Sequence, residues 1–79
     1  MKALQQQAKD YFEENMSGEP LTQEAVEEAL MEFSLITNER HLADIILAKY
    51  EDENETHFHA VDRRWIIDAM IEFALKTKN

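Results

Sequence analysis

Apolar side chains recur with helical spacing along most of the chain. One narrow stripe near the N-terminus consists of Leu4, Ala8, Tyr11 and Phe12. Positions separated by three or four residues lie on one side of a helix. The pattern predicts four helices, at about residues 2–15, 23–36, 39–50 and 58–76. The acidic run at 51–56 is expected to form a solvated linker, because neighbouring like charges repel.

The fourth predicted helix has the broadest apolar face. Between Trp65 and Leu75 only Asp68 and Glu72 are polar, and the apolar arc spans about 240° against the roughly 100° of an ordinary surface helix. Such a helix needs neighbours on several sides, from the same chain or from a second copy. The predicted core consists of Phe33, Leu42, Ile46, Trp65, Ile66, Met70 and Phe73.

The boundary between the second and third predicted helices has two interpretations. Asn38 is a suitable N-cap for a helix that starts at Glu39. A continuous helix from Thr22 to Tyr50 is the alternative, because neither glycine nor proline intervenes. In either case the second helix is expected to turn Val26, Phe33 and also Ile36 inward, and Ile45 of the third is expected to do the same.

Composition agrees with a helical fold. The 79 residues make one domain, with a single glycine, a single proline and no cysteine. Disulfides and thiolate metal sites are therefore excluded. The predicted fold class is all-α, a compact bundle of about four short helices, which homodimerisation would complete in the alternative reading. No apolar leader or membrane-spanning stretch occurs, which favours a cytoplasmic protein without membrane contact.

The charge is strongly negative and unevenly distributed. The chain contains seventeen acidic and eight basic residues, and the segment from Asp10 to Glu39 contains nine acids and no base. Direct nucleic-acid binding is not expected, because phosphate contacts require clustered lysine and arginine. A solubilising surface is one explanation, and a surface that meets a basic protein is the other.

The second predicted helix carries the candidate binding residues on its outward side. This outer face consists of Glu24, Glu27, Glu28, Met31, Glu32 and Leu35. Met31 and Leu35 stand among the acids, where a purely solvated face would not need apolar side chains. Carboxylates would steer a basic partner and the apolar residues would add short-range affinity.

The sequence contains few residue combinations that are typical of metal binding or catalysis. His57 and His59 could share a metal with Glu53 or Glu55, but the remaining histidine, His41, lies on another predicted helix. No nucleophile with a base and no glycine-rich phosphate loop appears. The sequence therefore predicts no metal, no cofactor, no catalytic residue and no enzymatic activity.

Two functional hypotheses follow. The first is a small acidic interaction protein that binds a basic, nucleic-acid-handling protein and inhibits it by occlusion or nucleic-acid mimicry, as phage-type and immunity-type inhibitors do as classes. The alternative is a homo-oligomeric regulatory or assembly protein whose dimer interface forms around the fourth helix.

Overall fold

Four helices make up the fold. The computed structural model describes residues 3–16, 20–37 and 39–77, and the side chains of residues 20–22 are outside the description. The helices are α1 (Leu4–Asn15), α2 (Pro20–Ile36), α3 (Arg40–Glu53) and α4 (Ala60–Thr77). No strand occurs in these three ranges. The predicted all-α bundle of four helices is confirmed.

The start of α2 differs from the predicted bound, whereas its end at Ile36 agrees with it. α2 begins at Pro20, where a proline is tolerated because the first helical N–H has no intrahelical partner. It ends at Ile36, so the alternative of one continuous helix from Thr22 is wrong. In the break, the Glu39 N–H donates to Thr37 Oγ1 at 3.0 Å. The predicted cap, Asn38, lies outside the described residues.

The C-terminus of α3 corrects the prediction of an acidic linker at 51–56. The helix continues to Glu53. Glu55 then takes a positive φ of 53°, and the Thr56 N–H donates to the Glu51 carbonyl at 2.9 Å. This is the hydrogen-bond pattern of a Schellman cap, here without the usual glycine. The acidic run does not unravel the helix because Glu51 is buried and paired, while Asp52 and Glu53 remain exposed.

The core is organised around α2. The broad apolar face of α4 had made α4 the expected centre of the core. α2 packs against each of the other three helices. α3 also packs on α4, and α1 reaches α4 through an edge-on contact between the Tyr11 and Phe73 rings. The largest fully buried side chains are Phe33, Leu30, Leu47, Met70 and Val26.

Most of the predicted core residues are buried, but two are not. Phe33, Ile46, Ile66, Met70 and Phe73 lie in the core. Leu42 is only half-buried, and Trp65 is 47 % exposed. The neighbouring helices do not cover the whole apolar arc of α4. Helix α1 ends at Asn15, beside Trp65, and therefore does not extend over the indole.

Two further apolar residues, Ile36 and Ile45, depart from the predicted inward faces, and Val61 is exposed as well. Ile36, Ile45 and Val61 are largely exposed, Val61 by 81 %. Ile36 is the last residue of α2, and Val61 belongs to the first turn of α4. Residues at helix ends project beyond the neighbouring helices, so the periodic pattern alone overestimates the burial of Ile36, a reason that does not apply to Ile45 within α3.

Candidate protein-binding surface

The outer face of α2 is open to solvent to different degrees along its length. Glu24 is exposed, and Leu35 is 75 % exposed. Glu27 and Glu28 are half-buried, with Glu27 accepting a hydrogen bond from Gln23 one turn earlier. The two ends of the face, Glu24 and Leu35, are thus exposed as the helical spacing predicts, whereas the four residues between them are half-buried.

Met31 contributes less to this face than the sequence pattern suggests. Its side chain is half-buried and packs against the hydrophobic core. Leu35 is thus the one large apolar residue of the outer face that is mostly available to a partner. Replacing Met31 would disturb packing as well as any binding surface.

Glu32 is held against α3 and is not a free acid. Its Oε1 accepts hydrogen bonds from Lys49 Nζ at 2.8 Å and from Tyr50 Oη at 2.7 Å. The bond from Lys49 first, and the bond from Tyr50 second, lower the pKa of the Glu32 carboxyl below its usual value. The sequence did not indicate this role, because Lys49 and Tyr50 follow 17 and 18 positions later in the chain.

The lowered pKa of Glu32 leads to a testable pH dependence. A carboxyl whose pKa is depressed by folding stabilises the folded state above its unfolded pKa, and that contribution is lost as the pH falls through the folded pKa. We expect Lys49→Met to raise the pKa of Glu32 more than Tyr50→Phe does. Side-chain carbon NMR titration measures both values. Tyr11→Phe is the control, and a shift of the Glu32 pKa in this variant would contradict the assignment.

The basic side chains of α3 and α4 are largely committed to acids of the same chain. The pairs are Arg40–Asp68, Lys49–Glu32, Lys76–Glu72, and Arg63 with both Asp44 and Glu51. By contrast, no base within the described ranges forms an ion pair with Glu24, Glu27 or Glu28. These three carboxylates of α2 therefore have no internal counter-charge in the described ranges, as is also true of exposed acids on other helices such as Glu13 and Asp52.

Glu51 is a structurally important residue that the sequence did not single out. It is 5 % exposed, its Oε2 accepts the Phe58 N–H at 2.7 Å, and its Oε1 pairs with Arg63. Asp44 lies seven residues earlier on the same side of α3 and pairs with the same guanidinium. That spacing of two helical turns was the available signal, but the position of Arg63 was not predictable from it.

The histidine candidates do not form a metal centre. His57 is exposed, with its Nδ1 3.6 Å from Glu51 Oε2. His59 is also exposed, whereas His41 lies on α3 beside Glu39. Within the described part of the chain, no group of three or more histidine and acidic residues is arranged to hold a metal ion.

Comparisons with known proteins do not add a functional assignment. No protein-family model, no curated protein and no solved structure matches this chain. Among the described helices, none has the length and apolar character needed to cross a membrane.

Proposed function

We propose that this protein binds a basic, nucleic-acid-handling protein through the outer face of α2 and blocks the site that would hold nucleic acid. One observation carries the proposal: Glu24, Glu27 and Glu28 have no ion-pair partner in the described ranges and share a helix face with the exposed Leu35. Carboxylates that no cation of the same chain neutralises can attract the cations of a partner protein.

The helix gives these carboxylates a regular spacing. Glu24 and Glu28 are one turn apart, about 6 Å along the helix axis. A nucleic-acid strand also carries a regular row of negative charges, with one phosphate per about 3.4 Å of helix axis on each strand. Glu32 extends the row as a charge fixed in place by Lys49 and Tyr50. A protein site built for phosphates would meet this row with its own lysines and arginines.

Leu35 would supply an apolar contact that slows dissociation of the partner. Charged residues at the edge of an interface mainly accelerate association, whereas desolvated apolar contacts mainly slow dissociation. An exposed leucine at the C-terminal end of the acidic row can be buried against a partner after the charges have aligned it. The two kinds of residue should therefore have separable effects on binding.

A capture experiment with a matched control tests the proposal. The protein is immobilised, exposed to a lysate at low salt, and eluted with duplex DNA. We expect the DNA to release a basic nucleic-acid-binding protein. The variant Glu24→Lys/Glu27→Lys/Glu28→Lys should lose this capture. The control, Asp52→Lys/Glu53→Lys/Glu55→Lys, changes the net charge of −9 by the same amount on exposed positions near the end of α3 and should retain it.

The kinetics of the captured partner then separate steering from contact. Glu27→Lys/Glu28→Lys should slow association about tenfold and flatten its salt dependence, while Leu35→Ser should mainly accelerate dissociation. Both variants should melt close to the parent. Equal loss of capture by the two triple-lysine variants, or a partner that DNA does not displace, would contradict the proposal.

A homo-oligomeric regulatory or assembly role is the second candidate. Ile45 of α3 and Val61 of α4 are large, apolar and mostly exposed. A dimer that covers these side chains would bury apolar surface that a single chain leaves exposed. The mass in solution distinguishes this role: a monomer at micromolar concentration excludes it.

A further inference from the structure

A groove of about 190 Å³ lies between the C-terminal half of α1 and the middle of α4. Its lining residues are Tyr11, Asn15, Met16, Trp65, Asp68, Ala69 and Glu72. Met16 and Ala69 are buried and form its apolar base. The groove therefore combines an apolar base with two carboxylates and two aromatic rings.

The aromatic and acidic side chains of α4 lie along one stripe of the helix. Trp65, Asp68 and Glu72 are three and four residues apart, the spacing that places side chains above one another. Trp65 is half-exposed. Lysine side chains lie over the rings of Tyr50 and Tyr11, but no described cation lies over the indole. Its π-face is thus available to an external cation.

The chain already places cations on the other groups of this groove. Lys76 Nζ lies 5.3 Å from the centroid of the Tyr11 ring, and Arg40 Nη2 lies 2.6 Å from Asp68 Oδ1. The side chains of the Arg40–Asp68 and Lys76–Glu72 pairs are more than half exposed. Surface ion pairs of this kind are weak, so a further cation can join or displace them.

The Glu72 carboxylate and the Tyr11 phenol both border the groove. Burial first, and then the Glu72 carboxylate, raise the pKa of Tyr11 to about 12. Lys76 Nζ lies 3.2 Å from Glu72 Oε1. The carboxylate has further lone pairs for a second donor.

We propose that this groove binds the guanidinium group of an arginine side chain presented by a partner protein, stacked on Trp65 beside Asp68, with Glu72 one turn further along the groove. A guanidinium is planar, so it can lie flat on an indole while its N–H groups point to carboxylates at its edge. An ammonium lacks both the flat face and the fork of donors. The groove is separate from the outer face of α2, so this inference does not depend on the function proposed for that face.

NMR titration of the folded protein tests the assignment. The chain has one tryptophan, so its indole N–H gives a single reporter signal. The probes are a seven-residue acetylated peptide with a central arginine, the same peptide with neutral citrulline, and arginine amide. We expect the arginine peptide to shift the Trp65 indole and Ala69 amide signals, and the citrulline peptide to bind about tenfold more weakly. Tighter binding of the peptide than of arginine amide supports a protein as the source, whereas equal binding assigns the groove to a small guanidinium compound.

Matched variants separate the groove from general acidity. Asp68→Asn/Glu72→Gln should weaken arginine-peptide binding about tenfold, and Trp65→Leu should weaken it as well, with Ala69 as reporter. The control Asp52→Asn/Glu53→Gln removes the same two charges at exposed positions and should bind within twofold of the parent. Melting curves verify that each variant is folded. Equal binding of arginine and citrulline peptides, or equal weakening by the two double variants, would overturn the proposal.

Discussion

Replacing Phe73 with alanine is expected to lower the free energy of unfolding by about 3–5 kcal/mol. Phe73 is 2 % exposed, and its ring meets the Tyr11 ring edge-on with centroids 5.6 Å apart. Its removal would leave a cavity where α4 meets α1 and would remove the aromatic contact between these helices. A domain of this length has a total stability of about 4–12 kcal/mol, so the variant should be largely or wholly unfolded at elevated temperature.

Chemical denaturation monitored by circular dichroism measures this loss. Leu75→Ala on the same helix is the matched control, because Leu75 is 49 % exposed and its truncation leaves no enclosed cavity. We expect the control to differ from the parent by about 0.5 kcal/mol. If Phe73→Ala unfolds at the same denaturant concentration as the parent, the packing of α4 against α1 is not as described.

Replacing Glu51 with alanine is the second change with a large expected effect, about 2–4 kcal/mol of destabilisation. The substitution leaves the buried Phe58 N–H without its acceptor and deprives Arg63 of one of two carboxylates. Removing one partner of a buried pair is costly because the other partner stays desolvated. Arg63 retains Asp44, which places the expected loss below that of a fully orphaned charge.

Asp52→Ala is the control for this prediction, since Asp52 occupies the same last turn of α3 but is exposed. We expect it to melt within a few degrees of the parent. The double variant Glu51→Leu/Arg63→Leu should recover part of the stability that Glu51→Leu loses, because no charge is then left buried without a partner. A Glu51→Ala variant as stable as Asp52→Ala would show that the loop before α4 does not depend on this carboxylate.

The helices were predictable because their signals are local. The stripe of Leu4, Ala8, Tyr11 and Phe12 describes a face that α1 does turn inward, with Leu4 half-buried at its end. The end of α3 was not predictable in the same way. A run of acids ordinarily favours a loop, but burial of Glu51 against Arg63, twelve residues later, retains the helix through Glu53.

The candidate surface was predictable in outline and not in detail. Helical spacing correctly separates the outer face of α2 from its buried side. It cannot tell that Glu32 is tied to Lys49 and Tyr50 while Glu24 is not, because this depends on how α3 lies across α2. For the same reason the groove beside Trp65 was not expected.

The sequence by itself determined that this chain forms four helices, which side of α2 faces outward, and that the charge surplus lies in the first half. These properties follow from spacing and composition, which act within one helix at a time. Only the tertiary structure decided which acids are paired, that α2 is the helix that packs against all three others, and that Trp65 borders an open groove. The width of an apolar arc sets the largest surface that a helix can bury. The length and position of the neighbouring helices determine how much of that surface is covered.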